Sequence, residues 1–245
     1  YLVFNLSNPN KAGMYLAVIS IYNFNCAKRV KKFVPKMLVL ALNCVILYFL
    51  FLTKCRTAII ALALFMIVFF FKGEFLFKKN KRCKIISFLV VVVPICFACL
   101  YMFAVNNKTI TDLLSFMIED GKSLDSRYYV WTNAFKEFFK SPILGAYAQI
   151  SDGTGMSQMH NIGVDILSSY GVVVLIVVMV WLYRILIHTM KKCEINTKKY
   201  LYVFSIITAI LLGCGEAALF SGAAGYNILV FGFILLAGSE KNGIS

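Results

Sequence analysis

The feature that most constrains this chain is the recurrence of apolar runs long enough to cross a lipid bilayer. A hydrocarbon core of about 30 Å takes roughly 20 residues of helix, with a usable range of about 17–25. Runs of that kind lie near 12–27, 36–53, 56–72, 85–105, 162–187, 200–219 and 222–238. The first is interrupted by Asn23 and Asn25, and the last two are joined by a very tight turn near Ser221. A chain that is 60% hydrophobic, with mean hydropathy +0.80, is far more apolar than a soluble domain. The expectation is an all-α integral membrane protein of about seven transmembrane helices. It opens at Tyr1 with no leader pattern, and reads as the C-terminal portion of a longer chain.

The net charge of +14 points to nucleic acid only until the charges are placed. Lys28, Arg29, Lys31, Lys32 and Lys36 fall between the first two runs, and Lys72, Lys78, Lys79, Lys81, Arg82 and Lys84 between the third and fourth. Arg184, Lys191, Lys192, Lys198 and Lys199 lie around the connection from the fifth to the sixth. Alternating spans put all three connections on one side, and the positive-inside rule makes that side the cytoplasm. No nucleic-acid partner is then needed to explain the excess. The turn 53–57 and the long polar stretch 106–161 fall on the opposite side. The resulting organisation is four spans in 1–105, an extracytoplasmic loop in 106–160 that we read as catalytic, and three spans with a short cytoplasmic tail in 161–245.

That loop carries six of the eleven acidic residues. Asp125 or Ser126 can cap a short amphipathic helix that begins at Arg127 and ends before Pro142, which cannot continue it. Tyr128, Trp131, Phe135 and Phe138 recur on one face of it. The stripe can lie among lipid headgroups or pack on the tops of the spans, and both readings stand. Gly145, Gly153 and Gly155 suggest a mobile approach to His160.

Lysine outnumbers arginine twenty to five, and only Arg56 and Arg127 lie on the loop side. A guanidinium offers a planar fork suited to bidentate phosphate contact, and Arg127 also sits at a helix N-terminus, which favours anions. The plainer alternatives are that Arg56 snorkels to the surface and Arg127 pairs with Asp125. His160, where the loop meets the fifth span, is suited to general-base work, or is a hydrogen-bonded surface histidine. Asp165 and Glu216 are carboxylates near the outer ends of apolar runs, where they mark function or a structural ion pair. Asp165 shares a helix face with Asn161, four residues earlier. Cys96 and Cys99 are spaced as CxxC, but nothing nearby supplies further metal ligands, so the cysteines read as apolar packing residues with no metal expected. All the candidate groups map to the outer rim. A transporter is expected to place its site at the bilayer midplane, between broken helices, so the rim placement favours an enzyme acting on a lipid-carried substrate.

Four segments in this order resemble the O-antigen ligase and polysaccharide polymerase superfamily: NPNKAG (8–13), TKCRTA (53–58), SRYYVWTNAFKEFFKSPILG (126–145) and HNIGVDILSSYG (160–171). Two details depart from the family pattern: Cys55 precedes Arg56 where a small residue is usual, and Ala146 follows Gly145 where another Gly is common. The resemblance implies a glycosyltransferase of the bacterial cytoplasmic membrane that needs no metal or other cofactor and works at the outer face. Donor and acceptor would be polyprenyl-pyrophosphate-linked oligosaccharides, and a flippase and a chain-length regulator would be partners alongside membrane lipids. By position, Arg56 and Arg127 would hold the pyrophosphate and His160 would activate the acceptor hydroxyl, giving inversion. Asn161 and Asp165 would orient His160 or the acceptor, with Trp131 and Glu216 as further substrate contacts. The leading expectation is a repeat-unit polymerase. A ligase to a terminal acceptor is the nearest alternative, and a flippase or a non-catalytic glycan-binding scaffold stands further off.

Overall fold

The computed structural model describes residues 9–70, 80–107, 125–146, 159–195 and 200–215. All regular structure among them is helical: α1 (Pro9–Arg29), α2 (Phe33–Thr53), α3 (Arg56–Phe70), α4 (Asn80–Asn106), α5 (Asp125–Lys140), α6 (Ile162–Ile195) and α7 (Tyr200–Leu212). Three segments are long and apolar enough to span a bilayer: Phe33–Thr53, Asn80–Asn106 and Ile162–Lys191. The expected last span, 222–238, lies outside the described residues, as do Glu216, Gly153 and Gly155.

α1 is the run that hydropathy rates weakest, yet it is one unbroken helix with Pro9 as its first residue, where a missing N–H costs nothing. It packs against α2, α3 and α7. Met14, Ala17, Val18 and Ile21 are almost fully buried there, joined to Phe65, Ile206 and Leu212 in the main core. One face of α1 meets helices rather than lipid, and there Asn25 Nδ2 donates to Ser205 Oγ of α7 at 3.1 Å. α2 presents the opposite case, with Phe33, Leu38, Tyr48 and Phe51 more than 60% exposed, a surface suited to hydrocarbon.

Two contacts fix which ends of the helices lie together. Ser87 Oγ meets Met190 Sδ at 3.5 Å, setting the start of α4 beside the end of α6, just as the Asn25–Ser205 bond sets the end of α1 beside the start of α7. Lys31, Lys36, Lys81 and Lys84 are exposed near those ends, called the basic end below, while among the described residues Lys54 and Arg56 are exposed at the other. At the opposite end α2 stops at Thr53. Lys54 turns left-handed (φ 54°) and returns its N–H to Phe51 O at 3.1 Å, while Thr53 Oγ1 bonds Leu50 O at 2.7 Å. The chain reverses within two residues and α3 starts at Arg56.

α6 is not the straight span that its hydropathy predicts. Gly171 (φ 79°, ψ 177°) breaks it, leaving residues 162–170 as a short helix and 172–195 as a segment long enough to span by itself. A broken helix frees backbone groups that need partners inside a membrane, and the segment after α5 supplies them. Val172 N–H donates to Pro142 O and Ala146 N–H to Ser168 O, both at 2.9 Å. Packing is close enough that a Cβ on Gly171 would collide with Ile143 O, and one on Gly145 (φ 76°) would lie 2.5 Å from the Ser169–Tyr170 backbone. Gly145 therefore pins the loop to the notch, where the sequence suggests a mobile approach.

Candidate active site

α5 begins two residues before Arg127 and ends at Lys140, close to the expected bounds. Its aromatic stripe turns towards the helices: Trp131 and Phe135 pack with Ala98, Met102 and Val164, while Tyr129 and Phe139 on the other face are 58% and 74% exposed. The choice between headgroups and helix tops is settled by partners, because α4 offers Tyr101 and Phe97 as edge-on rings, 5.1 and 6.4 Å from the Trp131 ring. Trp131 is fully buried, and its indole N–H donates to Met159 O at 2.6 Å. That bond joins the helix carrying Arg127 to the residue before His160.

His160 itself adopts φ 48°, a left-handed conformation uncommon for residues other than glycine, though histidine, like asparagine and aspartate, enters it more readily than most. It is held from both sides, by the indole on Met159 and by Asn161 behind it. The fully buried Asn161 amide makes four hydrogen bonds. Its Oδ1 accepts from Gly163 N–H (2.8 Å) and Val164 N–H (3.0 Å), capping the short helix. Its Nδ2 donates to Pro94 O (2.8 Å) and Cys214 O (3.1 Å), tying that helix to α4 and α7. Ile162 N–H adds a bond to Gly213 O at 2.9 Å. With every polar atom so engaged, Asn161 acts as an anchor, and Trp131 likewise spends its only donor within the protein.

From Cys214 the contacts continue to the arginine of α3. Gly215 packs on Thr57, with room for no Cβ (2.5 Å from Thr57 Oγ1), and Gly13 of α1 packs on Cys55 and Thr53. Arg56, between Cys55 and Thr57, is exposed, and Arg127 and His160 are half-buried. A single series of contacts thus runs from Arg56 through Thr57, Gly215, Cys214, Asn161 and His160 to Met159, Trp131 and the turn bearing Arg127. Asp165 stands half-buried one turn into α6, its N–H on Asn161 O at 2.9 Å. Among the described residues no three His, Cys, Asp or Glu side chains gather as a metal site, and Cys96 and Cys99 are exposed on α4.

The depth differs from the outer rim that the sequence suggests. Pro94 lies ten residues past Lys84, about 15 Å along α4, and twelve short of Asn106, about 18 Å. α7 reaches Gly213 after 13 residues, about 20 Å. The His160–Asn161 backbone is therefore recessed about halfway along α4. Hydropathy windows assume straight helices whose ends lie at the surface, whereas the Gly171 break turns residues 159–170 back into the bundle. The anchors Pro94, Gly213 and Cys214, and the packing glycines Gly13 and Gly215, escape sequence reasoning because they act through backbone atoms and missing side chains. Gly171, which closes the segment HNIGVDILSSYG, is the trace of the break visible in the sequence.

Comparison with protein families matches residues 37–179 to the family described as O-antigen ligase, a span running from the first turns of α2 to the middle of α6. The chain belongs to that family. No curated protein and no solved structure matches it. The O-antigen ligase region includes the turn of Arg56, the helix of Arg127, His160 and the break at Gly171. Membership and the apolar helices establish an integral membrane protein of O-antigen ligase or polymerase type.

Trp131→Phe tests the indole clamp. The phenyl ring keeps most of the contacts with Phe97 and Tyr101 and loses only the donor, leaving Met159 O unpaired at a cost of about 1–3 kcal/mol. The expected result is a small drop in thermal midpoint in detergent with a roughly tenfold fall in turnover, and little change in donor KM. An unchanged turnover would show that the clamp does not hold His160.

Proposed function

We propose that this O-antigen ligase family member transfers glycan from a polyprenyl-pyrophosphate donor to a sugar hydroxyl at the extracytoplasmic side, joining repeat units into a surface polysaccharide. The observation that supports this reading is the series of contacts and chain neighbours that runs from Arg56 through Asn161 and His160 to the helix of Arg127. In this reading the two guanidiniums would grip a diphosphate, whose charge grows as it leaves. In the proposed step His160 takes the proton of the acceptor hydroxyl while its oxygen attacks the anomeric carbon of the donor. The bond from that carbon to the pyrophosphate oxygen breaks, and its electron pair leaves with the polyprenyl pyrophosphate, inverting the anomeric centre. Asn161 and Trp131 hold the imidazole in place, and Asp165 stands on the same helix face to orient it or the acceptor. Glu216 would complete the acceptor side.

The second reading is transport of the same lipid-linked sugar, favoured by the broken helix, since transporters build midplane sites from such breaks. Protein reconstituted in vesicles with a synthetic polyprenyl-pyrophosphate repeat unit separates the cases. A ladder of products longer than one repeat is expected. One transfer to an added terminal acceptor, with no ladder, would assign the ligase reading, and unmodified substrate carried across the bilayer would replace catalysis by transport.

A further inference from the structure

At the basic end, α6 carries a second cluster that glycan transfer does not use. Trp181, Arg184, His188 and Lys191 follow one another at steps of three, four and three, which keeps them on one helix face. All four are exposed, Trp181 by 41%. By sequence Arg184 reads as part of a cytoplasmic connection where any cation would serve. The structure instead places it within the helix, which runs on to Ile195, about 10 Å short of Lys191 along the axis. The Ser87–Met190 contact sets Lys191 level with the start of α4, where Lys81 and Lys84 are exposed. Arg184 thus emerges on the lipid side of the apolar run, beside Val177 and Val180, which are 61% and 46% exposed.

A guanidinium is costly in hydrocarbon and reaches for the headgroups instead. Extended towards the basic end, against the N-terminal tilt of helix side chains, the guanidinium would come level with His188, with Trp181 one turn deeper, at the depth that indoles favour. The ribbon then offers a guanidinium fork at phosphate level and an ammonium above it. None of these four side chains is a carboxylate, so none of them could hold the ammonium of a zwitterionic headgroup. We infer that the Trp181–Arg184–His188–Lys191 face of α6 is a binding site for an anionic phospholipid of the leaflet at the basic end, its phosphodiester held by Arg184 and Lys191. This site is independent of the glycan-transfer reading.

The chain has two tryptophans, and Trp131 is fully buried, so quenching by brominated lipid reports on Trp181. Whole protein is placed in phosphatidylcholine nanodiscs containing a minor fraction of brominated phosphatidylglycerol or, separately, brominated phosphatidylcholine. Quenching by the anionic lipid should exceed that by the zwitterionic one by at least about fivefold at low salt, the partition that each basic side chain near such headgroups contributes. Trp181→Phe should remove most of the quenching. Arg184→Gln with Lys191→Gln should bring the two lipids to parity, whereas Lys36→Gln on α2 should leave the preference intact. Equal quenching by both lipids in the unmodified protein overturns the inference. So does a preference that survives the double substitution, or one lost equally in Lys36→Gln, which would trace it to the general charge of that end.

Discussion

His160→Ala should lower glycan transfer by at least about 10²-fold, the usual contribution of a positioned general base, while the protein still accumulates and spans the membrane. The half-buried imidazole is not part of the packed core, so its removal leaves no cavity to destabilise the bundle. Arg127→Lys should be nearly as damaging, by about 10²–10³-fold if the fork stabilises the departing diphosphate, because an ammonium keeps the charge and loses the paired donors. Both are measured as ladder length and rate with the synthetic repeat unit, and as surface-glycan gels from cells carrying each variant. Normal ladders in both would remove the catalytic assignment. A loss in His160→Ala alone would leave the base and withdraw the phosphate role of Arg127.

The largest effect on stability is expected at Asn161. Ala in its place leaves Pro94 O, Cys214 O and the Gly163 and Val164 N–H groups without the partners they have now. Loss of an N-cap alone costs about 1 kcal/mol, and each buried group left unsatisfied costs about 1–3 kcal/mol. A destabilisation of about 3–5 kcal/mol is reasonable after local relaxation, with loss of transfer because His160 follows the helix it precedes. Asn161→Asp separates the two halves of the anchor. It keeps the acceptor that caps the helix and removes both donors, so it should fail nearly as badly. Thermal unfolding in detergent reads this directly, and a midpoint within a degree or two of the unmodified protein would show that the four bonds are dispensable.

The membrane class, the clustering of lysines, and the helix at α5 were legible because each rests on local patterning. Runs of about twenty apolar residues have one physical use, lysines gather where helices emerge, and a cap followed by a proline brackets a helix. Arg56, Arg127 and His160 stood out by composition, as two arginines in a lysine-rich chain and one of only two histidines. Trp131 and Asn161 also stood out, but as groups offered to a substrate, and their hydrogen bonds now point inward. A residue type announces that it can donate or accept, while its actual partner depends on which backbone carbonyl the fold brings near. Asn23 and Asn25 made α1 look like a poor span for the same reason, since hydropathy prices every face as if it met lipid.

Taken alone, the amino-acid order determined that this chain lives in a bilayer and where its lysines cluster, and it singled out Arg56, Arg127 and His160 as candidates. Tertiary structure decided how deep those side chains sit and what holds them. The break at Gly171 turns the His160 segment inward only because Pro142 O and Ala146 N–H satisfy the groups it frees, and Pro94, Gly213 and Cys214 lend carbonyls that carry no mark in the sequence. Backbone groups are the same at every position, so their pairing across helices emerges only when the helices are packed together.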